Sequence, residues 1–179
     1  MDISAMATMQ FEVTQDFPAG LEQLWRALGR IDYVQKKYRW LGSTSLRIRK
    51  FTHDAGSIEV ELDRQAPVAR EELPIWARVF SGEKQAMRHH TRWRRVDRDR
   101  IEVDLEIRAL GLSVRAQGTG SIIERVPGES RMTLHFDVSS GFGAISAGVA
   151  RVFAQQVKHA LGADHAFTLG YLQARSHPQ

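Results

Sequence analysis

The chain has 179 residues, 42% of them hydrophobic and 26% charged, a size for one domain with a sizeable core and a composition unlike that of disordered or collagen-like chains. It contains no cysteine, which excludes disulfides, thiolate nucleophiles and cysteine metal sites. The formal net charge of +4 is mildly basic and says little about partners until the charges are placed on faces.

Residues 1–8 are expected to be a loose arm, 9–173 a single domain and 174–179 a short tail. No basic stretch followed by an apolar run opens the chain, and no window approaches the ~18 apolar residues of a membrane span. The expectation is therefore a cytoplasmic protein without an integral membrane segment; the oligomeric state is left open. Met9, Phe11 and Val13 alternate with polar neighbours, the period of a strand with one buried face. Asp16 and Pro18 then suit a helix start, and Leu21, Leu24, Trp25 and Leu28 follow at helical spacing before Gly29. Asp32 opens a second short helix carrying Tyr33, Val34, Lys37 and Tyr38, which stops near Gly42.

From Ser45 to Ser139 the period is mostly two. Leu46 and Ile48, then Ile58, Val60 and Leu62, alternate with charged residues. A brief helix or cap over Leu73–Phe80, opened by Pro74, interrupts the series. Ile101 to Ile107, Leu112 to Ala116 and Met132 to Val138 continue it, the last pair of strands meeting at a Pro127-Gly128 turn. From Gly143 to about Gln173 the period becomes helical, with Ile145, Val149, Val152, Gln156, Ala160, Ala163 and Phe167 as one stripe, widened by Phe153, Val157 and Leu161. A break is expected near Gly162.

The stretch MRHHTRWRRVDRDR, Met87 to Arg100, holds six arginines and two histidines. An odd-numbered loop around Asp97-Arg98-Asp99 places Met87, His89, Thr91 and Trp93 on the inner face beside Ile107, Leu105 and Val103. His90, Arg92 and Arg94 then stand outside, opposite Glu106, Asp104 and Glu102. The same logic pairs Arg49 with Glu59 and Arg47 with Glu61, keeping Ile48 beside Val60. Cations matched by carboxylates read as a solvated sheet face, whereas a phosphate-binding strand would leave them uncompensated. No stacking aromatics lie among the outward cations, so nucleic acid is not expected as a partner.

One strand, two short helices, a six-stranded antiparallel stretch and a long terminal helix make an α+β helix-grip arrangement, which resembles the START-like (SRPBCC) proteins. More narrowly, MQFEVTQDFPAGLEQLWRAL, the HHTRW strand and the terminal helix resemble the bacterial domain of unknown function family 2505, over residues 8 to 173. The resemblance implies a curved antiparallel sheet wrapped around the C-terminal helix, with a cavity between them for a hydrophobic small molecule, lipid-like or aromatic. That superfamily includes lipid-transfer domains, plant hormone and allergen proteins, coenzyme Q-binding proteins and polyketide aromatases and cyclases. Fold alone does not choose among them.

The expected cavity wall is His89, Trp93, Leu105, Phe136, Val149, Phe153, Gln156 and Trp76. His89 is an ionisable group on an otherwise apolar face, either a satisfied core histidine or a polar contact for the ligand. Trp93 and Trp76 either line the pocket or fill core. Gln156, on the apolar stripe, needs a partner that is a ligand or the backbone. Ala116, Gly118 and Gly120 either leave inner volume free or mark a bend. No catalytic residue, metal ligand or cofactor site is indicated: His89 and His90 face opposite ways, and neither HExxH nor GxSxG is present. The rivals to a binding protein are an enzyme of the cyclase/aromatase type using the same cavity and a protein-interaction module with a filled core.

Overall fold

The computed structural model describes residues 7–68, 70–75, 78 and 82–176. Strand β1 (Ala7–Phe17) leads into helices α1 (Leu21–Leu28) and α2 (Ile31–Trp40), and then into β2 (Ser45–His53) and β3 (Ser57–Pro67). After a 3-10 turn at Arg70–Glu72 come β4 (Lys84–Arg95), β5 (Arg100–Ala109), β6 (Val114–Val126) and β7 (Glu129–Ser140). A second 3-10 turn, Gly143–Ile145, precedes the long helix α3 (Ser146–Ser176). The seven strands form one antiparallel sheet in the order β1-β7-β6-β5-β4-β3-β2, so the meander is closed back by β1 pairing with β7. Helix α3 packs on the β1-β7-β6 side of this sheet and reaches α1 and α2. The result is the helix-grip arrangement.

Alternation decides which residues form the core. In β3 the even positions from Ile58 to Ala66 are buried, and in β4 Met87, His89, Thr91 and Trp93 are. The β4–β5 register matches the expectation: His90 stands opposite Glu106, Arg92 opposite Asp104 and Arg94 opposite Glu102. The outward arginines are ion-paired, Arg94 to Glu102 at 3.0 Å and Arg88 to Asp63 at 2.7 Å. Arg92 finds its carboxylate on the other neighbouring strand, Glu59 at 3.3 Å.

The β2–β3 register departs from expectation. Arg47 faces Asp63 and Ile48 faces Leu62, and a bulge between Ile48 and Lys50 brings Phe51 beside Val60. The bulge inserts one residue into the edge strand and switches its face, and the expected register is off by two residues at Arg47 and Ile48 and by three at Phe51. Charge matching survives by different pairs, Arg49 to Asp63 at 2.8 Å and Lys50 to Glu59 at 2.7 Å.

Helix α1 begins at Leu21, later than Pro18, with its first N–H bonded to the Glu124 carboxylate of β6 at 3.0 Å. That cap comes from a residue 103 positions away. Helix α3 runs unbroken through Gly162. It is braced on both sides of that glycine: Gln15 of β1 donates to the Leu161 carbonyl at 2.9 Å, and the His165 ring meets the Asp16 carbonyl at 2.7 Å.

The buried stripe of α3 keeps Phe153, Val157 and Leu161 of the expected one and is otherwise shifted from it. Ser146, Ala150, Phe153, Ala154, Val157, Leu161, Thr168 and Leu172 are buried, whereas Ile145 and Gln156 are exposed. In the β3–β4 connection, Arg78 N–H bonds the Pro74 carbonyl at 3.1 Å, as in a helical turn opened by that proline; the rest of the helix expected there lies outside the described residues.

Candidate functional site

The inner face of the sheet is apolar and mostly closed. Phe136 and Phe153 are fully buried, and Trp93 is buried on the same face. Phe136 stacks on Phe11 of β1 with ring centroids 4.8 Å apart. Gly118 serves this stack, since a Cβ there would sit 2.6 Å from the Phe136 ring. The volume left by that glycine is therefore filled by Phe136. At Gly120 a Cβ would run into the Thr133 carbonyl, so this glycine permits close strand approach.

Leu105 behaves differently. It lies on β5, the middle strand of the sheet, and points inward between Thr91 and Gly118. It is only half-buried, although Val103 and Ile107, two residues to either side, are 3% and 5% exposed. Leu105 therefore keeps part of its surface accessible at the centre of the sheet. Val149, on α3, is half-buried as well. Gln156 is corrected by the structure: it stands on the exposed side of α3 and faces no interior. Trp76 lies outside the described residues.

A buried polar cluster adjoins this region, and sequence reasoning found only one member of it. His89 is 6% exposed, and Arg64 donates its Nε hydrogen to His89 Nε2 at 3.0 Å. The bond requires a neutral imidazole with its proton on Nδ1. Burial, with the neighbouring Arg64 and Lys37 charges, holds the His89 pKa well below the usual histidine range. Arg64 also donates to Ser43 Oγ at 3.2 Å and lies over the Tyr38 ring at 5.2 Å. Burial lowers the Arg64 pKa as well.

Lys37 of α2 is buried and ion-paired with Asp164 of α3 at 3.1 Å. Burial alone would lower its pKa, but Asp164, Tyr33 and Tyr38 hold it above the ordinary lysine value. Thr168 donates to the Asp164 carbonyl at 2.9 Å and so accepts from the Tyr33 hydroxyl at 2.7 Å. Burial pushes the Tyr33 phenol up to about 12. The cluster therefore ties α2, α3, β3 and β4 together at their inner faces.

Alternation already carried a signal for Arg64, since it follows Ile58, Val60 and Leu62 on the inner side of β3. Lys37 lies on the same face of α2 as Tyr33, Val34 and Tyr38, all buried. Asp164 carried no comparable signal, because its partner is 127 residues away. Among the described residues no group of three or more His, Asp or Glu is placed to hold a metal. A cleft of about 500 Å³ lies elsewhere, by the β6–β7 turn, and is walled by Asp16, Arg125, Glu129 and Arg131 among others. Its charged walls do not suit an apolar ligand.

Solved structures share this architecture. The aromatase/cyclase Zhui from Streptomyces sp. R1128 superposes with a TM-score of 0.64 at 15% identity, covering 96% of this chain and 97% of that one. Ara h 8.0201 gives 0.57 at 14% identity over 94% and 99% of the two chains. A norcoclaurine synthase from Thalictrum flavum gives 0.57 at 11% identity over 97% and 99%. These likenesses establish a START-like fold. No curated protein matches the sequence. No helix among the described residues is long and apolar enough to cross a membrane. Residues 12–172 match the family model described as Protein of unknown function (DUF2505), and the chain belongs to that family.

Proposed function

We propose that the protein binds a hydrophobic small molecule, lipid-like or aromatic, between the inner face of the sheet and α3. The observation that carries this reading is the half-buried Leu105 at the centre of the sheet, flanked by fully buried residues. A protein interior packed to ordinary density leaves no solvent-sized space beside a central strand, and an apolar space of this kind is where small-molecule sites form. Trp93, Phe136, Val149 and Phe153 are the proposed walls with Leu105, and His89 stands one inner-face position from Thr91, its polar edge. The fold supports the reading, since the norcoclaurine synthase neighbour holds a transition-state analogue. Carboxylates beside the outward arginines support leaving nucleic acid out of it.

The test is tryptophan fluorescence titrated with fatty acids, quinones and polycyclic aromatics, alongside native mass spectrometry of freshly expressed protein. A micromolar Kd, about 8 kcal/mol, is expected for a ligand that loses most of its surface to apolar walls. If no ligand changes the emission and no adduct appears in the mass spectrum, the interior is filled core and the reading falls.

A further inference from the structure

The polar cluster is unbalanced in charge. Lys37 and Arg64 bring two positive charges inside and Asp164 brings one negative charge, which is already 3.1 Å from Lys37. Arg64 is 8% exposed, yet its described partners, His89 and Ser43, are both neutral. Among the described residues no carboxylate lies within 4.0 Å of its guanidinium, although each of the four arginines on β4 has one. A buried cation without a counter-charge is expensive, and proteins keep one where a partner or ligand supplies the missing charge.

Geometry leaves the guanidinium able to take such a ligand. Its Nε hydrogen is committed to His89 and one Nη1 hydrogen to Ser43, so three of its five hydrogens, including both on Nη2, have no described acceptor. His89 therefore acts as an orienting group: it accepts from Nε and fixes the plane of the fork. Arg64 is on the inner face of β3, in the same layer as Leu62, which pairs with His89. The half-buried Leu105 lies diagonally across from His89, through the Thr91 and Ile107 pairs. Through its bond to His89, the unbalanced charge stands one diagonal pair from Leu105 on the inner face.

We infer that the ligand of this site is an amphiphile with a carboxylate head, the head bound by the free edge of Arg64 and the apolar body lying along the sheet toward Leu105. This rests on the binding reading above and adds the chemical class of the ligand. A planar carboxylate matches the fork of a guanidinium by two parallel hydrogen bonds. The Lys37 charge close by adds to the attraction, whereas an alcohol or amine head would leave the interior charge unpaired or worsen it.

The experiment compares decanoate with decan-1-ol and decylamine, equal in chain length, by calorimetry at pH 7.5. Wild-type protein is expected to bind decanoate at least tenfold more tightly than decan-1-ol, with decylamine weakest. Arg64→Gln should bring decanoate to the level of decan-1-ol. Arg64→Lys should keep part of the preference. The wild-type comparison stands even where Arg64→Gln does not fold. Equal binding of acid and alcohol, or a preference that survives Arg64→Gln, overturns the carboxylate assignment and leaves the hydrophobic-ligand reading standing. Failure of all three to bind overturns both.

Discussion

Arg64 donates to Nε2 of His89 across 3.0 Å of buried interior, and burial first, then the neighbouring positive charges, keep the histidine neutral. The free imidazole titrates near 6.5, and the folded one stays deprotonated well below that. Between the two values only the unfolded state takes up the proton, so the fold loses stability as pH falls through 6.5. The loss is about 1 kcal/mol between pH 7 and 5.5, or about 2–4 °C in melting temperature for a chain of this length. His89→Gln offers Arg64 a carbonyl oxygen and does not titrate. Its melting temperature should fall less than that of wild type over the same interval; equal falls would mean that His89 is not the group responsible.

Glu59 titrates in the same sense, at lower pH. Hydrogen bonds from Lys50 and His90, opposed by partial burial and helped by Arg92, hold its carboxyl down at about 2. Its folded pKa is therefore below the unfolded value, and its contribution is complete above pH 4.5 and lost as pH falls from 4.5 toward 2. Glu59→Gln should cost about 1–2 kcal/mol at pH 7, as for hydrogen bonds to a charged group on a half-wet sheet face, and should flatten the acid limb of the stability curve. A mutant that parallels wild type down to pH 3 would show that the outer charges are bystanders.

Gly118 is a packing position. Since a Cβ there would meet the Phe136 ring at 2.6 Å and Phe136 is held against Phe11, Gly118→Ala should destabilise by about 1–3 kcal/mol, the usual cost of overpacking. Adding Phe136→Leu should cost less in the Gly118→Ala background than alone. Additive losses in a chemical-denaturation cycle would separate the two residues.

The strand faces were legible in the sequence because alternation is a local signal, and the β4–β5 pairing followed from a short loop whose parity sets the register. What escaped was non-local or disguised. The β2 bulge has no marker in Arg47-Ile48-Arg49-Lys50. The inner stripe of α3 includes Phe153, Val157 and Leu161, which the helical period showed, but also Ser146, Ala150 and Ala154, residues too small to announce a core. Of the polar cluster, His89 was readable because a histidine on an apolar face stands out, and Arg64 shares its alternation; the Lys37–Asp164 pair depends on how α2 meets α3, which no short-range pattern encodes.

The space over Leu105 can be tested without a ligand. Leu105 and Ile107 are isomeric side chains on the same strand and face, one half-buried and the other 5% exposed. Replacing each by tryptophan adds the same volume. If the interior is open at Leu105, Leu105→Trp extends the ring into that space, loses no packing and leaves the melting temperature within about 2 °C of wild type, or raises it by burying more apolar area. At Ile107 the same ring must displace its neighbours, at a cost of about 1–3 kcal/mol. The filled site should also lose ligand: Leu105→Trp is expected to weaken binding of any apolar ligand tenfold or more, because the indole occupies the volume the ligand needs. Equal destabilisation by the two substitutions would show the sheet centre to be closed at both positions, and unchanged affinity in a folded Leu105→Trp would place the ligand elsewhere.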